Sequence, residues 1–295
     1  MSLGHTFHIP VMGTAFTIDT PVKVAKYGIS SVISLVDDTL IEEMRQFYCD
    51  KLNLPYQAIT KNDHDHRALR ITAYLDLIDL LVKKDFEELR ASPFESGSEI
   101  SKYFEMLPAS STLKIKYENM LLAKDAQKKT LLQDELRNEI QAGSIDVNIM
   151  TKLDRVNFSG KEETLLPPEY NDAMAALRGY ANSTLQSSIV FSAGINSRLY
   201  SYVAEFKDFQ ADAAGFIKKK VILKVSDYRS ALIQGKVFAK KGIWVSEYRI
   251  ESGLNCGGHA FATTGFLMGP ILEEFKINRQ DLITTLHATF NQVVQ

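Results

Sequence analysis

Residues 219–249 read KKVILKVSDYRSALIQGKVFAKKGIWVSEYR. Two apolar runs, 219–226 and 243–249, flank a helical segment whose end is marked by Lys240, Lys241 and Gly242, so the spacing predicts strand, helix, strand. Two strands joined by a helix imply a right-handed crossover and parallel pairing.

The same alternation runs backwards along the chain. SSIVFSAG (187–194) is a predicted strand followed by the helix NSRLYSYVAEF. SIDVNIM (144–150) is another, followed by a polar loop with Pro167 and Pro168 and the helix NDAMAALRGYAN (171–182). At the start, 8–13 and 31–36 are rich in β-branched residues. Between them Asp19 or Thr20 can cap a short helix, Pro21 suits its first position and Gly28 its end. The run 31–36 is apolar almost throughout, as expected for a strand covered on both faces. That makes six strands in order, with a helix expected at 39–52.

From 53 to 142 no strand pattern occurs. RALRITAYLDLIDLLVKKDFEEL and IKYENMLLAKDAQKKTLLQDELRNEI have helical spacing, punctuated at 94–97 and 108–111. The organisation expected is therefore first barrel units at 1–53, a helical insertion at 54–142, and units three to six with C-terminal helices at 143–295. Repeated βα units allow either an eight-stranded barrel or a doubly wound sheet. No G-x-G-x-x-G follows the first strand, which favours the barrel. After 249 only two helix-like stretches remain, GPILEEF and NRQDLITTLHATFNQVVQ. The expected fold class is an α/β TIM-type (β/α)8 barrel lacking its last two units, with the insertion after strand 2.

Composition narrows the function. A net charge of -2 and a pI near 6.3 give no basic excess for nucleic acid. The 12 tyrosines and 16 phenylalanines are scattered, so they read as core. No apolar run is long enough for a membrane helix and no basic leader precedes an apolar stretch, so a cytoplasmic protein without membrane contact is expected. Cys49 and Cys256 are expected to remain thiols. Lys218 to Lys220 and Lys240 to Lys241 read as solvated charge. A small-molecule substrate is the expected partner. A homo-oligomer or a partner chain would associate through the helical insertion.

The chemistry-bearing stretch is ESGLNCGGHAFATTG (251–265). Cys256 and His259 could form a nucleophile and base, although such pairs usually meet in space rather than along the chain. Two ligands fall short of a structural zinc site. Gly257 and Gly258 could let the backbone lie against a flat ring or a phosphate, with a histidine just beyond, or they could be a plain turn. Spacing alone leaves these last two open. In NDHDHR (62–67), alternate His and Asp ahead of a helix read as capping rather than as metal ligands.

This stretch, following VILKVSDYRSALIQGKVFAKKGIWVSEY, resembles the nitronate monooxygenase (2-nitropropane dioxygenase) family of FMN-dependent TIM barrels, whose sixth strand leads into an A-G-G-H or C-G-G-H core. HIPVMGTAF, DVNIM and SIVFSAG resemble that family's first, third and fourth strands. The likeness covers roughly 9–36 and 144–275 by ordered motifs. It implies an FMN-dependent oxidoreductase with His259 as the catalytic proton acceptor or donor, and Met12, Gly13, Asn148, Cys256 and Gly257 lining the cofactor. Lys224 is added because a cation at the end of the fifth strand could stabilise negative charge on a reduced flavin; a solvated lysine is the alternative. No metal is expected. The family's phosphate-binding glycines of units seven and eight have no counterpart. Flavin-dependent enoyl reductases carry a similar segment. A non-catalytic or truncated barrel segment that binds a partner chain is the rival of a different class.

Overall fold

The computed structural model describes residues 4–5, 8–9, 18–35, 37–149, 154–159, 164–192, 194–251, 255–256, 259–260 and 267–294. The strands are β1 (His8–Ile9), β2 (Ser30–Ser34), β3 (Ile145–Ile149), β4 (Phe158–Ser159), β5 (Thr164–Leu165), β6 (Ser188–Phe191), β7 (Lys220–Val225), β8 (Val245–Ile250), β9 (Asn255–Cys256) and β10 (His259–Ala260). The helices are α1 (Thr20–Val24), α2 (Asp38–Lys51), α3 (His66–Ala91), α4 (Glu99–Glu105), α5 (Thr112–Leu122), α6 (Ala126–Glu139), α7 (Asp172–Asn182), α8 (Ser197–Val203), α9 (Tyr228–Ala239) and α10 (Met268–Val294). The chain folds as two compact units, Met1–Ile33 with Asp76–Asp146, and Ser34–Leu75 with Val147–Gln295.

Six strands form one sheet in the order β1-β2-β3-β6-β7-β8. Pairing is parallel between β1 and β2, β3 and β6, β6 and β7, and β7 and β8. Ser31 N–H donates to Ser144 O and Leu35 N–H to Asn148 O, so β2 and β3 also advance together. The order follows the chain without the reversal that defines a doubly wound sheet. All six strands expected from the sequence are present. The protein is a mixed α/β structure on a parallel sheet.

In the second unit the two faces of the sheet differ. Ile149, Phe191, Leu223 and Tyr248 are register partners, as are Val147, Ile189 and Val221. On this face Phe191 stacks with Phe238 of α9 and lies against Tyr200 of α8. A Cβ on Gly235 of α9 would sit 2.3 Å from the Tyr248 hydroxyl, so this glycine permits close packing of α9 on β8. Ile149 meets Ile41 of α2, Ile71 of α3 and Ala173 and Ala176 of α7 around one cavity. The helices of this unit thus cover one face. The other face carries Asn148, Lys224, Glu247 and Arg249.

The first unit has its own core. Leu89, Ile100, Tyr103, Phe104, Leu107, Leu113, Tyr117, Met120, Leu136 and Ile140 are buried together. Phe104 and Tyr117 stack at 4.9 Å with their planes 8° apart. Ser98 and Asp125 cap α4 and α6 by accepting from Ser101 N–H and Lys128 N–H.

Four expectations need correction. The stretch 115–140 is two helices, because the Asp125 carboxylate starts a new helix at Ala126. The loop after β3 contains a hairpin of β4 and β5, with Phe158 opposite Leu165. The two helix-like stretches at 269–295 are one helix of 27 residues: Pro270 lies in the first turn, where it is tolerated, and no breaker separates Phe275 from Asn278. Lys219 is not solvated; it is fully buried. Its Nζ donates to Tyr180 O, Ser183 O and Leu185 O at 2.9, 2.9 and 2.8 Å, and lies 4.5 Å from the centre of the Tyr180 ring. The ammonium therefore ties the carbonyl end of α7 to the start of β7.

Lys219→Met should lower unfolding stability by about 3 kcal/mol, because buried carbonyls lose a charged donor and gain nothing in return. Urea denaturation at neutral pH measures it, and a loss under about 1 kcal/mol would contradict this account of the helix end.

Candidate functional site

Asn148 lies on β3 at 3% exposure, and its Nδ2 donates to Ser34 Oγ at 3.2 Å. Asn148 is level with Val190, and Val190 with Ile222. Lys224 lies two residues beyond Ile222 and so shares the Asn148 face, two strands away, roughly 10 Å across the sheet. The structure thus brings these two expected site residues to the same face near the C-terminal ends of their strands.

Lys224 is not a bare cation. Its Nζ lies 2.7 Å from the Glu251 carboxylate, with the two side chains 28% and 17% exposed. Arg249, opposite Lys224 in register, is paired with Glu247 at 2.6 Å. Glu251 was not among the residues the sequence singled out, and no sequence signal marks it apart from its place at a strand end.

On either side of the two glycines, β9 and β10 pair as short antiparallel strands, in which His259 is opposite Cys256 and Ala260 opposite Asn255. The hairpin follows β8 by four residues. Met12, Gly13 and Gly257 lie outside the described residues.

A second cluster occupies the helix-covered side. Asp37 caps α2 through Thr39 N–H and Leu40 N–H. The neighbouring Asp38 is buried and accepts from Arg70 at 2.7 Å, with Arg67 at 3.1 Å. Arg67 also reaches Asp172 at 3.2 Å, and Arg155 reaches Asp172 at 2.8 Å. The starts of α2, α3 and α7 meet here with the ends of β2 and β3. The cavity between them is about 20 Å³, room for roughly one water. Arg67 and Arg70, three apart among the apolar residues of a helix, were the available sequence signal.

Other candidates have structural partners. Asp63 accepts from Thr60, Asp65 is ion-paired with Arg178, and His64 Nε2 meets the Tyr170 hydroxyl at 2.9 Å. Among the described residues no group of three His, Cys, Asp or Glu is placed to hold a metal. Cys49 is a free, buried thiol whose pKa is raised by burial, so it is protonated at neutral pH. Among the described residues no helix is long and apolar enough to cross a membrane.

Breaking the buried network should be costly. Asp38→Ala leaves Arg67 and Arg70 without their shared carboxylate and should cost about 3 to 5 kcal/mol of unfolding stability, measured by urea denaturation. His66, at the start of α3, adds a pH dependence. Burial lowers its pKa from 6.5; Asp38 opposes this, while Arg70 and Arg67 add to the lowering. A depressed folded-state pKa means that the unfolded chain binds the proton first. Its contribution is therefore present above about 6.5 and lost as pH falls through the folded value. Stability measured from pH 7 to 5 should decline less steeply in His66→Gln than in the parent protein, and equal slopes would exclude this role for His66.

Comparison of the chain with protein-family models, curated proteins and solved structures finds no significant match.

Proposed function

We propose that the protein is an FMN-dependent oxidoreductase resembling nitronate monooxygenase, with β1, β2, β3, β6, β7 and β8 as six strands of a (β/α)8-type barrel. The observation that carries the reading is the C-G-G-H hairpin, with His259 opposite Cys256, just beyond the C-terminal end of β8. In barrels of this type chemistry gathers at that end of the strands. Strand order without reversal, and helices on one face of the second unit, support the same reading.

The donor set is compatible with a flavin. The Asn148 carboxamide both donates and accepts, which suits the mixed N–H and C=O edge of a flavin's pyrimidine ring. Lys224 offers an ammonium on the same face, already balanced by Glu251. Met12, Gly13, Cys256 and Gly257 would complete the lining, as the resemblance implies. When bound, FMN supplies a two-electron redox centre.

The chain's own residues then have separable tasks. Asn148, fixed by Ser34, would hold the ring edge in one orientation. His259 would take a proton from the substrate carbon or return it, the task for which an imidazole is suited near neutral pH. A flavin-dependent enoyl reductase would use the same residues, and turnover with a nitronate against an enoyl thioester separates the two activities.

The purified protein should retain added FMN through desalting, seen as the visible absorption of oxidised flavin. His259→Ala should keep that absorption and lose about 100-fold or more in turnover. A protein that remains colourless after FMN is added would refute the flavin reading. Unchanged turnover in His259→Ala would remove only the histidine's role.

A further inference from the structure

Two-electron reduction of a flavin takes up two electrons and, near neutral pH, one proton, so the fully reduced ring carries a negative charge. A cation beside the ring stabilises that charge and makes the reduction potential more positive. Lys224 is on the face that carries Asn148, yet it presents its charge together with an acid. Its Nζ is 2.7 Å from Glu251.

The position of Glu251 is set by the sheet. Its backbone N–H donates to Val225 O at 2.9 Å, which extends the β7 to β8 ladder one residue past β8. Lys224 is opposite Arg249, so Glu251 reaches Lys224 diagonally across the two strands. The other acid on this face of β8, Glu247, is bonded to Arg249. At 28% and 17% exposure, solvent screens the Lys224 and Glu251 pair less than it would an exposed one.

We propose that Glu251 is a positioning residue that sets the charge Lys224 presents to the flavin, and through it the flavin's reduction potential. The proposal rests on the flavin reading above. Removing the carboxylate takes a negative charge from this face, whereas removing the amine takes a positive one. Removing both restores neutrality without restoring either group.

The test is the midpoint potential of protein-bound FMN, read against a reference dye during reduction with dithionite, alongside FMN affinity by absorbance titration. The parent protein, Glu251→Gln, Glu251→Asp, Lys224→Met and the Lys224→Met/Glu251→Gln double variant are compared, each checked for folding by circular dichroism. Glu251→Gln should shift the potential positive and Lys224→Met should shift it negative. Glu251→Asp and the double variant should stay close to the parent. A merely structural pair would not give opposite signs in the two single variants, nor cancellation in the double. Bound FMN with one potential in all five proteins overturns the role of Glu251 and leaves the flavin reading standing. Failure of the parent protein to bind FMN removes both.

Discussion

The constraint on which the structure depends is the parallel ladder. Parallel strands cannot be joined by tight turns, so every step from one to the next requires a crossover that returns the chain to the same end of the sheet. In the second unit the crossovers from β6 to β7 and from β7 to β8 contain α8 and α9, and Phe191, Tyr200 and Phe238 join them to the strands. Right-handed crossovers taken repeatedly in one direction leave their helices on one face of the sheet. That asymmetry assigns the strand residues: Ile149, Phe191, Leu223 and Tyr248 meet helices, while Asn148 and Lys224 project from the opposite face.

The strands were legible because their composition and spacing are nearly independent of context. Val147, Ile149, Ile189, Phe191, Val221 and Leu223 alternate at period two with residues that are themselves largely apolar, and such runs have few other uses. The helix boundaries were legible where a side chain marks them, as Asn196 does for α8 and Asp227 for α9. What the sequence obscured depended on partners far away. The burial of Lys219 follows from three carbonyls supplied by 180–185, and nothing in KKK distinguishes its middle lysine. The hairpin of β4 and β5 consists of exposed two-residue strands and carries no periodic signal. The continuity of α10 reflects the absence of a breaker between two stretches that each look like a complete short helix.

The candidate site was legible to a similar depth. Asn148 was singled out by the resemblance and Lys224 by its place at a strand end, and the register places them on one face. The pairing of Lys224 with Glu251 was hidden because it depends on an irregularity: the register shifts between Val221 and Ile222, so that Ile222 is opposite Glu247 rather than Ser246. Without that shift β8 would lie one residue differently against β7, and the Glu247, Arg249, Glu251 series would face the other way. A single extra residue in β8 thus determines which charges reach the Asn148 face.

Two charged clusters lie near the C-terminal ends of the strands, and packing separates their roles. Around Asp38 the charges are enclosed by Leu35, Ile41, Ile71 and Ile149, leaving room for roughly one water. The cost of separating Asp38 from its arginines makes the network a clamp on the starts of α2, α3 and α7. Lys224 and Glu251 retain partial exposure, and Glu251 is four residues ahead of the hairpin that contains Cys256 and His259. A charge that is to influence a ligand must be within its reach while remaining poorly screened. Of the two clusters, the pair at the ends of β7 and β8 meets both conditions.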